Sequence, residues 1–208
     1  MANTFAPFGF QEYFGGSGQA PTFAQTVRKI ASTNTVAIFS GDPINPVIAA
    51  NGYITQGVPG TVRIDGVFMG CTYSSTSQKR RVWGNYWPGS DATGDVAAYI
   101  SDNPNAQFVV QGFSTNFNIT GTLSTNTSTP VGQYAQYAIG TGNAANGRSG
   151  AFLNSIGTTV TLPFIVTGFV TEPPGANGAD PTTASNYVIV GFNNEWLRTN
   201  GAGPTGIS

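Results

Sequence analysis

The side chains able to do chemistry are few: nine carboxylates, eight lysines and arginines, one cysteine and no histidine in 208 residues. Imidazole is the side chain whose ordinary pKa suits proton transfer near neutrality, so acid–base work would fall to carboxylates and lysines. A serine hydrolase needs a base beside its nucleophile. Serines abound, but the lysines are Lys29 and Lys79, and neither stands in a Ser-x-x-Lys pattern. A glycosidase needs two carboxylates facing each other across a sugar. The acids here sit mostly beside Gly, Pro or Asn, as in Asp42-Pro43, Asp102-Asn103-Pro104 and Asp180-Pro181, where turn formation places them. The expectation is a protein that is not an enzyme and carries no cofactor.

Other motifs are weak. Ser90-Asp91-Ala92-Thr93-Gly94-Asp95 offers clustered oxygens to calcium, but lacks the alternating acids and final glutamate of an EF-hand. The glycine-rich segment Gly140–Gly147 has the wrong spacing for a phosphate loop and no following Lys-Ser/Thr. Asn118-Ile119-Thr120 and Asn126-Thr127-Ser128 fit the glycosylation sequon. Cys71 stands alone, which excludes an intrachain disulfide and leaves a zinc site without thiolates or imidazoles. Its apolar neighbours predict a buried, inert thiol. The cluster Trp83-Gly84-Asn85-Tyr86-Trp87-Pro88 suits core filling or a subunit interface, and alternatively a platform on which Trp83, Tyr86 and Trp87 grip a glycan.

Charged residues make up 8% of the chain, against roughly 25% in an average globular protein. Charge is depleted where surfaces become interfaces, so this composition suits a protein living in an assembly. A net charge of −1 leaves no electrostatic footprint for nucleic acid. Gln78-Lys79-Arg80-Arg81 is the one basic cluster, read as a solvated loop or a charged strand edge. No stretch approaches the ~20 apolar residues of a membrane span, and no basic segment precedes an apolar run near Met1. The expectation is a soluble chain made in the cytoplasm, with no membrane partner.

The elements that must position these residues are short strands. Thr35–Phe39 stops at Gly41-Asp42-Pro43; Pro46–Ile54 is broken by Asn51-Gly52, a hairpin signal. In Thr61–Tyr73 the apolar parity changes at Gly66, which predicts a bulge or bend there, with Val67, Met69, Cys71 and Tyr73 on one face. Further candidates are Arg81–Trp87, Val96–Ile100, Gln107–Gly112, Phe117–Ile119, Gly132–Ile139 and Asn186–Phe192. Thr159–Val170 holds Pro163, which suggests an edge strand or a bulge. Thr120–Pro130, Gly140–Gly150 and Glu172–Asp180 read as loops. No apolar set recurs at helical spacing. Such strands predict an all-β domain, a single β-barrel or a jelly-roll-like sandwich, over residues 26–208.

Residues 1–25 differ, having aromatics among Gly, Pro and Ser without periodicity. Disordered tails are poor in aromatics, yet this leader holds Phe5, Phe8, Phe10, Tyr13, Phe14 and Phe23. It reads as an extended arm whose rings Phe5, Phe8, Phe10, Tyr13 and Phe14 dock on a partner. The alternative is an arm folded back over its own domain.

Several segments taken in order carry a family resemblance. They are Ser40-Gly41-Asp42-Pro43, Asp65–Cys71, Tyr99–Gln111, Arg148–Asn154, Pro163–Gly168 and Tyr187–Asn194. Together they resemble the small β-rich accessory capsid proteins of tailed bacteriophages, the cement or decoration proteins. The resemblance covers roughly residues 26–198 and is most specific at Gln107–Gln111. It implies a virion component, made in the host cytoplasm, that sits on the capsid surface and bridges capsomers. The implied partners are the major capsid protein and other copies of the chain, as a homotrimer or else a dimer. No catalytic residue carries over. The alternative expectation is a tail or fibre module, or a carbohydrate-binding module, that grips glycans through Trp83, Tyr86 and Trp87.

Overall fold

The computed structural model describes residues 3–14, 24–47, 52–61, 63–118, 129–170 and 183–195. Among them run fourteen strands: β1 (Gln11–Phe14), β2 (Thr26–Ile30), β3 (Ile38–Phe39), β4 (Pro43–Pro46), β5 (Ile54–Gln56), β6 (Gly66–Ser74), β7 (Arg81–Gly84), β8 (Tyr86–Trp87), β9 (Val96–Ser101), β10 (Gln107–Gln111), β11 (Tyr134–Ala138), β12 (Phe152–Gly157), β13 (Phe164–Phe169) and β14 (Tyr187–Phe192). The one helical element described is a 3₁₀ turn at Ser114–Phe117. No helix among the described residues is long and apolar enough to cross a membrane.

The strands form a six-stranded sheet, β1-β10-β14-β13-β11-β12, and a second sheet, β2-β9-β6-β4-β5, with β7 also paired to β6; β3 and β8 make a two-stranded ribbon. The named pairs are antiparallel. The protein is all-β, as expected, and sandwich-like; no sheet closes into a barrel.

Alternation sets the faces. On β9, Val96, Ala98 and Ile100 are buried while Ala97 and Tyr99 are partly exposed, the period-2 pattern of a half-buried strand. Two apolar clusters result. One lies under the six-stranded sheet and joins Phe108, Val110, Phe164, Val188 and Phe192 to Phe10, Ile64 and Val67. The other lies between the second sheet and the ribbon and joins Ile30, Ile44, Phe68, Cys71, Val96, Ile100 and Trp87. Strand β6 feeds both.

That double duty corrects the reading of β6. Gly66 opens the strand at φ 146, and a Cβ there would lie 2.7 Å from the Ser101 carbonyl oxygen. The ladder irregularity, however, falls between Phe68 and Gly70. It splits the expected apolar face, sending Val67 and Met69 to the first cluster and Cys71 and Tyr73 to the second.

Other expectations shift by a few residues. Pro163 precedes β13, an interior strand between β14 and β11, and so never needs an N–H in the ladder. Its carbonyl accepts from the Asn193 and Asn194 amides (2.8 and 3.1 Å). Phe117 is buried in a 3₁₀ turn rather than a strand. Strand β12 was not expected, because Asn154 and Ser155 break its apolar pattern. The turn at Asn51, most of the loop Thr120–Pro130 and the loop Glu172–Asp180 lie outside the described residues.

The described part of the leader, residues 3–14, follows the alternative of an arm folded back over its own domain. Glu12 pairs with Phe108 and makes β1 an edge strand of the first sheet. Phe10 is wholly buried, 4.5 Å from Phe164 in a stacked pair. Gln111, fully buried at the end of β10, uses both ends of its amide: Nε2 donates to the Thr4 carbonyl (2.9 Å) and Oε1 accepts from the Ala6 amide (2.8 Å). Residues 3–14 are therefore built into their own domain. The physical reason is that an unpaired edge on β10 and a hole in the core are both present, and one extended segment fills both. Residues 15–23, with Phe23, lie outside the described residues.

Candidate functional site

The most constrained polar group is Asp42, 1% exposed. Its Oδ2 accepts from the Phe39 amide and from Gln56 Nε2, both at 2.8 Å. Its Oδ1 accepts from Ser149 Oγ at 2.5 Å, and the same Oγ accepts from the Ala151 amide at 2.8 Å. At this pair four distant segments meet. The Phe10 amide donates to the Gly41 carbonyl (2.9 Å), Gly41 to Phe68 (2.7 Å), Phe68 to Asp42 (2.8 Å) and Ser149 to Ser40 (2.9 Å). Gly41 takes φ 97, and a Cβ on it would sit 3.0 Å from the Phe10 nitrogen, so no other residue fits without strain. Two of the segments that carry the family resemblance, Ser40–Pro43 and Arg148–Asn154, thus come together in space.

Chemically this junction ties segments of the chain to one another. Burial raises the Asp42 carboxyl above its ordinary value, while the bonds from Ser149, Phe39 and Gln56 pull it back. All three donors come from the chain itself. A second buried acid, Asp65, is raised by burial and lowered by Arg28, whose Nε lies 3.1 Å from Asp65 Oδ2 and whose Nη2 lies 3.5 Å from Asp102 Oδ2. A guanidinium between two carboxylates is an ion-pair network, not two acids facing an open cleft.

The calcium candidate is accounted for locally. Asp91 Oδ2 accepts from Ser75 Oγ (2.6 Å) and Ser77 Oγ (3.0 Å), and Oδ1 from the Ser77 amide (2.8 Å). The Ser75 bond, the largest cause, holds its carboxyl below the ordinary value. Among the described residues no three His, Cys, Asp or Glu side chains cluster as metal ligands. Cys71 is buried, and burial pushes its thiol up to about 12.

The aromatic cluster divides. Trp87 is wholly buried; its Nε1 donates to the Asn34 carbonyl (3.2 Å), and Tyr73 packs edge-on against it. It cannot grip a glycan, because β8 turns it into the second core. Tyr86 stacks on Phe39 at 5.1 Å. Trp83, by contrast, is 70% exposed and lies parallel to Tyr99, with centroids 5.0 Å apart. Sequence reasoning missed Tyr99 as its partner, since β6 lies between their strands.

The leader's rings also divide. Phe8 meets Tyr187 edge-on at 5.4 Å, and Tyr13 is half-buried on β1. For Phe14 the backbone is described, opposite Gln107. Phe5 is 38% exposed and Phe113 is 42% exposed. Phe5 packs edge-on against Phe113 (5.2 Å) and Phe152 (5.0 Å). This trio is an aromatic surface patch.

Neither the family models nor the curated proteins nor the solved structures contain a match to this chain.

Proposed function

We propose that this protein is a non-enzymatic structural component of a virion that attaches to the outside of a phage capsid and stabilises contacts between capsomers. Its partners would be the major capsid protein and other copies of itself, with a homotrimer as the working form. The phage and capsid parts of this reading rest on the sequence resemblance. The observation that carries the adhesive part is the Phe5–Phe113–Phe152 patch, an aromatic surface held out on a domain with few charges. Aromatic anchors in a poorly charged surround are what association selects. The buried Asp42 carboxylate is bonded by Ser149, Phe39 and Gln56 of its own chain, which supports a structural role for it.

The test is attachment to shells assembled from the major capsid protein, with intact protein and with the double variant Phe5→Ser/Phe113→Ser. Both rings are partly exposed, so the domain still folds. Attachment by the intact protein and its loss in the variant support the reading. Failure of the intact protein to attach to shells, or equal attachment by both forms, would overturn it. Light scattering of the free protein tests the homotrimer.

A further inference from the structure

The outer face of the second sheet presents a second kind of surface. Residues alternate along a strand, so Arg81 and Trp83 of β7 share a face with their cross-strand partners Ser74 and Thr72. Gly70, two residues before Thr72, pairs with Tyr99, and Tyr99 pairs with Val27 of β2. Gly70 contributes no side chain, so the Trp83 ring reaches across it and lies flat on Tyr99. Covering a strand glycine with an aromatic ring is a stabilising device in itself. Yet 70% of Trp83 remains in water. A groove of about 260 Å³ opens beside it, lined also by Gln25, Met69, Gly70 and Asn85.

The charge beside this ring is unusual for the chain. Lys79, Arg80 and Arg81 are three of the eight cationic side chains, and all three are exposed. The ion pairs described hold Arg28 and Lys29 rather than these three side chains, and the acid at the base of the hairpin, Asp91, is bonded to Ser75 and Ser77. Arg81 is positioned: its Nε donates to Thr72 Oγ1 at 3.1 Å, on the residue that faces Trp83. That bond holds a guanidinium next to the indole and leaves its terminal nitrogens to a planar anion.

We propose that this face binds an acidic glycan, with one pyranose ring lying on Trp83 and its carboxylate or sulfate taken by Arg81. The apolar C–H face of a sugar matches an indole. The amides of Gln25 and Asn85 match hydroxyls, and the exposed cations match the acid. The groove holds about one ring, and the net charge of −1 disfavours the long phosphate tracks of nucleic acid. The inference is independent of the capsid reading, which uses the opposite sheet.

The experiment titrates full-length protein with oligogalacturonate, a chondroitin sulfate oligosaccharide, the neutral cellohexaose and a thymidine decanucleotide, following tryptophan fluorescence and heat. At least one acidic sugar should bind, weaken with added salt, and lose roughly tenfold or more in affinity with Trp83→Ala. Arg81→Gln should remove the preference for acidic over neutral sugar. Circular dichroism shows that each variant keeps its fold. Any one of four results would overturn the proposal: no binding to either acidic sugar, equal binding of cellohexaose, tighter binding of the decanucleotide, or undiminished binding by Trp83→Ala.

Discussion

Ser149 Oγ donates to Asp42 Oδ1 in a buried junction, across 107 residues of chain. The bond ties the turn before β4 to the segment before β12, and so joins the two sheets through side chains as well as backbone. Removing the hydroxyl in Ser149→Ala leaves one oxygen of a buried carboxylate and the Ala151 amide each short of a partner. A buried unsatisfied group costs about 1–3 kcal/mol, and chemical denaturation should show a loss of that size. A change within error of zero would mean that the junction is not structural.

The buried acids give a pH dependence of unusual sign. Burial raises Asp42 and Asp65 above their ordinary value of 3.8 in the folded chain. Folding therefore favours their protonated forms. Their contribution to stability is fully present below 3.8 and is lost as pH rises through the raised values. Unfolding midpoints measured between about pH 3 and 7 should fall on this account as pH rises, and Asp42→Asn should flatten that fall. Asp91, held low mainly by Ser75, acts below 3.8 and in the opposite sense. An Asp42→Asn profile as steep as the parent's would contradict the assignment.

Phe10 is a core residue on a leader. Phe10→Ala should cost about 3–5 kcal/mol, the usual range for emptying a buried phenylalanine site, and Phe5→Ala much less. A thermal melt comparing the two decides it. Deleting residues 1–25 is for the same reason a folding experiment before it is a binding experiment.

Two tryptophans four residues apart should behave oppositely. Trp87→Ala opens a cavity under β8 and should cost about 3–5 kcal/mol. Trp83→Ala removes an exposed ring and one stacked pair, worth about 0.5–1.5 kcal/mol. Iodide should quench Trp83 and spare Trp87.

The Cys71 thiol, buried and raised to about 12, should resist a thiol reagent at mildly alkaline pH in the native state and react once denaturant is added. Reaction at the rate of a free thiol in the native protein would show that β6 opens.

Much of the architecture was legible in the chain. β9, β10 and β14 announce themselves because one-faced burial imposes alternation or an apolar run. The burial of Cys71 follows from its neighbours. β1 and β12 were illegible for a shared reason: each is an edge strand of its sheet, and an edge strand need not be apolar on both faces. Gln11-Glu12 and Asn154-Ser155 look like loop until a partner strand is beside them.

The sequence by itself determined that the chain is all-β, through its short apolar runs and turn residues, and that it is poor in charge and without histidine, because these depend on local order and on which side chains exist. Tertiary structure decided where each aromatic ring went. It put Phe10 and Trp87 inside and left Phe5, Phe113 and Trp83 outside; it brought Tyr99 to Trp83 across β6 and Ser149 to Asp42 across the sheets. Those outcomes turn on ladder register, on one irregularity in β6 and on contacts between residues far apart in sequence, and local spacing carries no record of them.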